Sequence, residues 1–221
     1  MPPVRRRAPR RKRRTRRKAQ VTIQLSRRAN ALCLWRRDQP LIVALRLLVV
    51  LALLGAFDTL YYHEWRARLP AMGIAARDEL RLHALRDFVY AILFATIPWI
   101  AWQGFYVFAL AALLLIEIIL TLWDFVVEDW IRKPLGGVYP GERVMHAIMG
   151  IVYGAALAFL IPTMHQWWLR PARLAISAPP PSVILGAILT LMAAGVLLSG
   201  IRDWCASTAM RGSSWPWKPA A

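Results

Sequence analysis

The chain predicts an all-α fold: a polytopic membrane bundle of about five transmembrane helices behind a basic N-terminal tail. Three observations carry this reading. The 221 residues are 58% hydrophobic, with a mean hydropathy of +0.41. Several apolar runs reach about 20 residues, the length that crosses a bilayer core. Tryptophans gather at the ends of those runs, as indoles do at headgroup level.

Residues 1–20 form a low-complexity basic tract, with Arg5-Arg6-Arg7 and then Arg10 to Lys18 broken only by Thr15. Like charges at this density repel, so the tract is expected to stay disordered until it meets an anionic partner. Beside a membrane that partner is a layer of anionic lipid headgroups rather than nucleic acid. A topology signal is the simpler role, and recruitment of a protein partner is an alternative one. Residues 21–39 suit a short juxtamembrane surface helix carrying Val21, Ile23, Leu25, Leu32, Leu34 and Trp35, ended by Pro40. The basic start is far longer than a signal-peptide n-region, and the first apolar run has no small-residue cleavage pattern. That run is therefore expected to remain as the first transmembrane helix.

The transmembrane domain is expected at 40–204, with spans at 41–62, 85–102, 105–130, 142–168 and 182–204, and a C-terminal tail at 205–221. A loop through Pro70 and Gly73 leads to a second helix that begins near Asp78 and is kinked by Pro98. Gln103-Gly104 makes a tight hairpin into the third span. Residues 133–141 are dense in turn formers and read as a loop. The fourth span contains Pro162, and Pro179-Pro180-Pro181 precedes the fifth. Trp65, Trp123, Trp130 and Trp204 mark one interface, and Trp35, Trp99, Trp102, Trp167 and Trp168 the other. Gly150-x-x-x-Gly154 and Gly195-x-x-x-Ser199 permit close helix packing within the chain. Cys33 and Cys205 stand at opposite ends and suggest no disulfide framework or metal motif.

Ionisable residues inside apolar spans are costly, about 2.5–3.5 kcal/mol each on insertion scales, and usually line a site or pathway. Here they fall toward one membrane face. In the third span Glu117, Thr121, Asp124 and Glu128 recur at i, i+4, i+7 and i+11, a single helical stripe. Glu142 and His146 are at i, i+4 in the fourth, with Met149 and Tyr153 continuing the face. In the second, Glu79, His83, Asp87 and Tyr90 share a face with Arg86 at its edge. In the first, Asp58 shares a face with Tyr61, Tyr62 and Trp65, and His63 and Glu64 join it only if the helix ends or unwinds there. Hairpin connectivity then brings these four helix ends into one layer.

Carboxylates and imidazoles from facing helices are the way bundle-core di-iron and di-manganese sites are built. The Glu-x-x-His spacing of such sites is replaced here by His83-x-x-x-Asp87 and Glu142-x-x-x-His146. The candidate ligands are Glu117, Asp124, Glu128, Glu142, His146, His83 and Asp87, with Asp58, His63, Glu64, Arg86, Tyr90 and Tyr153 around them. Oxygen and nitrogen donors suit Fe, Mn or Zn. A haem ligated by His83 and His146 is less favoured among so many carboxylates. A nucleotide-binding glycine loop, a nucleophile elbow and a His-Glu-x-x-His zinc motif are all lacking in the sequence.

Four functions follow: a metal-dependent redox enzyme acting on a lipid or quinone, a proton- or cation-coupled transporter subunit, a structural subunit with buried ion pairs, and a cytochrome. Against each residue stands a plainer role. Asp58, His63, Glu64, His83 and Glu142 lie near helix ends, where solvated polar residues are common, and Arg66, Arg68 and Arg86 could serve only to neutralise the carboxylates.

Orientation rests on the tail. The N-terminal side carries 15 basic residues before position 38 and 2 more in the 169–182 loop, against 11 on the other side. The positive-inside rule then places the N-terminus in the cytoplasm of a bacterial inner membrane. Without residues before 20 the balance becomes 4 plus 2 against 11 and reverses. A C-terminal topology reporter is accordingly expected outside the cytoplasm for the full chain and inside it once residues 2–20 are deleted.

Overall fold

The computed structural model describes residues 39–177 and 180–217. The expected basic tail and nearly all of the juxtamembrane segment lie outside the described residues. Five long helices dominate: α1, Gln39–Ala67; α2, Arg77–Thr96; α3, Tyr106–Arg132; α4, Pro140–Trp168; and α5, Val183–Ser207. Four of them, all but α2, are long and apolar enough to cross a membrane. The chain is a membrane-spanning helical protein. Helix α2 is also long, but its first half carries Arg77, Asp78, Glu79, Arg81, His83, Arg86 and Asp87. It is held inside the bundle, packed most extensively against α5.

Helix ends follow local chemistry. Pro140 opens α4 at its first position, where a missing N–H costs nothing. Ser182 caps α5, its Oγ accepting from the Leu185 N–H at 3.3 Å. Helix α4 runs through Pro162 as one element. Helix α2 stops at Thr96, short of the expected continuation to residue 102, because Pro98 can neither donate to the preceding turn nor fit against it. After the turn, β1 (Ile100–Gln103) pairs antiparallel with β2 (Arg173–Ile176), with Ile100 opposite Ile176 and Gln103 opposite Arg173. These strands supply partners for backbone that cannot continue as helix at that end of the bundle. Gly104 follows at φ +59, and a Cβ there would stand 2.5 Å from Ala172 Cα, so the hairpin requires glycine.

The last nine residues of α1, Thr59–Ala67, are π-helical. The segment closes at Arg68 in the left-handed conformation, its N–H donating to the His63 carbonyl. Two short helical pieces, Leu69–Met72 and Gly73–Ala76, then return the chain to α2.

The interior divides by depth. Leu45 and Leu48 of α1, Leu93 of α2 and Ile97 just after it, Leu110 and Leu114 of α3, Ala156 and Leu160 of α4 and Leu189 of α5 form one apolar core. At the opposite end Leu69, Ala76, Leu80 and Ala206 form a small second cluster. Between the two lies a layer of buried charge.

Close packing over glycine is at Gly141 of α4, against the Tyr62 ring of α1, at Gly186, against the Trp99 indole, and at Gly200, where α5 meets α2. The expected Gly150, Gly154 and Gly195 have no neighbouring described atom within 4 Å of where a Cβ would stand. A Cβ on Gly200 would stand 2.8 Å from Asp87 Cβ and 3.1 Å from the Ala84 carbonyl oxygen. Gly200→Ala is expected to destabilise by about 1–3 kcal/mol through overpacking. Gly195→Ala should leave the thermal midpoint in detergent nearly unchanged.

Candidate functional site

The polar layer has three levels along the bundle axis. At the outermost, Arg132 in the last turn of α3 is only 2% exposed, and Glu79 and Glu142 are fully buried. Its Nε donates to Glu79 Oε1 at 2.8 Å, with Nη2 2.7 Å from the same oxygen, and Nη1 and Nη2 donate to Glu142 Oε2 and Oε1 at 3.4 and 3.1 Å. One guanidinium therefore ties α2, α3 and α4. A planar fork of donors suits this role, because a buried carboxylate needs both its charge and its lone pairs answered.

The middle level holds three imidazoles. His63 Nε2 lies 3.4 Å from Asp58 Oδ2 and 3.2 Å from Glu142 Oε1. His146 Nε2 lies 3.2 Å from the same Asp58 oxygen, while its Nδ1 faces Glu128 Oε1 at 3.4 Å. The π-helical segment makes this possible. Residues five apart stand about 140° apart around an α-helix, but they stack one turn above another when the backbone bonds run i to i+5. Asp58 and His63 thus share a face. Alongside, the His63 and His83 rings stack at 4.4 Å and 6°, and Phe125 stacks on His146 at 5.1 Å and 14°.

Beside these, Asp124 Oδ2 accepts from Arg86 Nη1 at 2.5 Å and stands 3.3 Å from His83 Nε2. His83 Nδ1 faces Asp203 Oδ2 of α5 at 3.9 Å. Deepest is Glu117, whose Oε1 accepts from Tyr90 Oη at 2.5 Å and Thr121 Oγ1 at 2.7 Å. Tyr153 donates to the Leu114 carbonyl at 3.2 Å, with its ring edge-on to Tyr90. Beyond this level the apolar core begins.

Of the candidate ligands, the bundle brings Glu128, Glu142 and His146 together and joins them to Asp58 and His63. Glu117 stands apart with its own hydroxyl donors, and Asp124 is engaged by Arg86. Asp87 is half-buried against Gly200 of α5. Glu64 pairs with Arg202 and accepts from Trp217 Nε1 at 3.3 Å, outside the His–carboxylate centre. Three members of the layer were not among the candidates. In the sequence Arg132 counts only among the basic residues that bear on orientation, and Glu79 only as part of a helix face. Asp203 was passed over beside the interfacial Trp204, although Ser199 and Asp203 at i, i+4 put two polar groups on one face of an apolar span.

Two sets of three donors each lie within 4.8 Å of one another: Asp58, His63 and His146, and Glu128, Glu142 and His146. Several buried polar atoms in the layer make no hydrogen bond, among them Asp58 Oδ1, His63 Nε2, both His83 nitrogens, Asp124 Oδ1 and Glu128 Oε2. Such atoms are rare in native interiors, and each calls for a cause.

No known family matches this chain. The same holds for curated proteins and for solved structures, none of which matches at a significant level. The geometry alone therefore bears on function.

Removing Arg132 would leave Glu79 and Glu142 buried without a counter-charge. Arg132→Met is expected to cost about 3–5 kcal/mol, as in other broken buried pairs. Glu79→Met in the same chain should restore part of the loss. Thermal unfolding of the detergent-purified variants measures both.

Proposed function

We propose that the middle level is an intramembrane metal centre, in which Asp58 Oδ2, His63 Nε2 and His146 Nε2 hold an ion of the Fe, Mn or Zn class beside Glu142. The observation that carries the reading is His63 Nε2. Two carboxylate oxygens lie within 3.4 Å of it, yet it makes a hydrogen bond to neither. A charge-assisted N–H···O bond would be about 2.7–2.9 Å long and aligned. His146 Nε2 is hydrogen-bonded to Asp58 Oδ2 at 3.2 Å, whereas the His63 Nε2 contacts of 3.2–3.4 Å are not hydrogen bonds and match the edge of a coordination tetrahedron, about 3.4 Å for metal–ligand bonds near 2.1 Å.

Charge supports the same reading. Among the described residues, seven buried carboxylates (Asp58, Glu79, Glu117, Asp124, Glu128, Glu142, Asp203) face the buried Arg132, the half-buried Arg86 and three imidazoles. Two negative charges would remain even with every imidazole protonated. With the imidazoles neutral the excess is larger still, and a divalent cation at the centre lowers it by two. Glu128 beside His146 Nδ1 takes the part of the carboxylate that fixes a ligating imidazole's tautomer and orientation.

The chemistry best suited to such a centre is redox catalysis on a lipid or quinone, since carboxylate and imidazole ligands serve Fe and Mn at open sites. Transport is less well supported, because apolar side chains fill the bundle beyond Glu117 and offer an ion no second half of a path. A haem between His83 and His146 is also disfavoured by the His63 ring stacked on His83. The proposed setting is a bacterial inner membrane with the basic tail on anionic headgroups.

Elemental analysis and absorption spectroscopy of the full chain in detergent test the reading. Stoichiometric transition metal is expected in the wild type, reduced at least tenfold in His63→Ala and His146→Ala, and retained in Glu117→Gln. Folded wild-type protein that takes up no metal when supplied with Fe, Mn or Zn would end the proposal.

A further inference from the structure

The polar layer is closed along the bundle axis. The core described above seals its inner side, and Leu69, Pro70, Ala71, Ala76, Leu80 and Ala206, all buried, close its outer side. The opening is lateral. A cavity of about 500 Å³ lies between the end of α3 and the start of α4, whose facing surfaces contact each other sparsely. That volume is within the roughly 300–1,000 Å³ of small-molecule sites. Its inner end is formed by Glu128 and His146. Its walls are Phe125, Val126, Trp130, Val138 and Ala147, and its rim carries Asp129 and Arg143, paired at 3.1 Å. Val126 is 53% and Trp130, at the headgroup level, 78% exposed on the outward face of a membrane-crossing helix, so the groove opens to the membrane at its headgroup boundary.

Resting on the metal-centre reading, we infer that this groove admits an uncharged lipid-phase amphiphile and brings its head, a hydroxyl, to Glu128 beside the metal ligand His146. The occupant comes from the membrane because the groove faces it and the axial routes are shut. Its tail is apolar because the walls are. Its head is neutral because the inner end presents the Glu128 carboxylate and the rim presents Asp129. The one rim cation, Arg143, is already paired, so an anionic head would meet like charge without a free counter-ion. The head is a hydroxyl because Glu128 Oε2 is buried without a partner and accepts from one.

Two sources share this chemistry: a quinol-type ring on an alkyl tail, and a long-chain alcohol. They are separated by measuring binding of a decyl-substituted benzoquinol and of dodecanol to the full chain in nanodiscs, with dodecanoate as the anionic comparison. Ala147→Trp fills the groove from α4, and Val126→Trp fills it from α3, so a folding defect in one leaves the other informative. Metal content is read on every sample. At least one neutral probe is expected to bind, at least tenfold more weakly to each Trp variant, with metal content unchanged and dodecanoate bound at least tenfold more weakly than the neutral probe. Equal binding to wild type and both folded variants, tighter binding of dodecanoate, or no binding of either neutral probe to metal-loaded protein overturns the inference. A wild type without metal that still binds a neutral probe through the groove overturns the metal centre alone.

Discussion

Charge buried in a membrane-spanning bundle must find a counter-charge or a ligand, and this constraint shapes the molecule. Arg132 meets it most directly. Its guanidinium lies between Glu79 and Glu142 and so decides how α2, α3 and α4 stand at that end of the bundle. Without the pairing, desolvation would cost several kcal/mol per ion. Arg86 does the same for Asp124 one level deeper, and Tyr90 and Thr121 do it with hydroxyls for Glu117.

Those satisfied groups set apart the ones that are not. Asp58, His63 and Glu128 have neighbours at 3.2–3.4 Å but incomplete hydrogen bonding. A network built only for helix register gains nothing from leaving such atoms unanswered, since a partly satisfied buried network is less stable than an apolar one. The π-helical end of α1 points the same way. Helical bonding of the π type is rare overall and frequent at functional sites, and this nine-residue segment puts His63 beside Asp58. The apolar core in the other half of the bundle supplies the stability that such a layer consumes.

Access follows from the same division. The segment Leu69–Ala76 closes the outer end of the layer with apolar side chains, while α3 and α4 leave a groove open between them. A polar centre sealed from water and open to lipid strengthens every charge interaction inside it, because the surroundings are of low dielectric. It also limits what can arrive to molecules already dissolved in the membrane.

Much of this was legible in the residues themselves. Hydropathy marks the apolar helices, and the 3.6-residue period places Glu117, Asp124 and Glu128 on one face and Glu142 with His146 on another. Short connections between consecutive spans then require those faces to meet at one end of the bundle. The rest depended on the tertiary structure for definite reasons. Periodicity assumes an α-helix, so the π-helical turns that bring His63 onto the Asp58 face do not register in it. A helical face says nothing about which of its charges will be paired, so Arg132 was only one basic residue bearing on orientation until α2 and α4 closed around it. Asp203 joins the layer only because Gly200 lets α5 approach α2. Pro98 marks a break in the second span, but that the chain there becomes a strand depended on Arg173–Ile176 lying alongside it. The sequence by itself determined which residues share a helix face and at which end of the bundle they lie. Only the packed bundle decided which charges are answered and which are not, because that depends on distances between helices that no local pattern encodes.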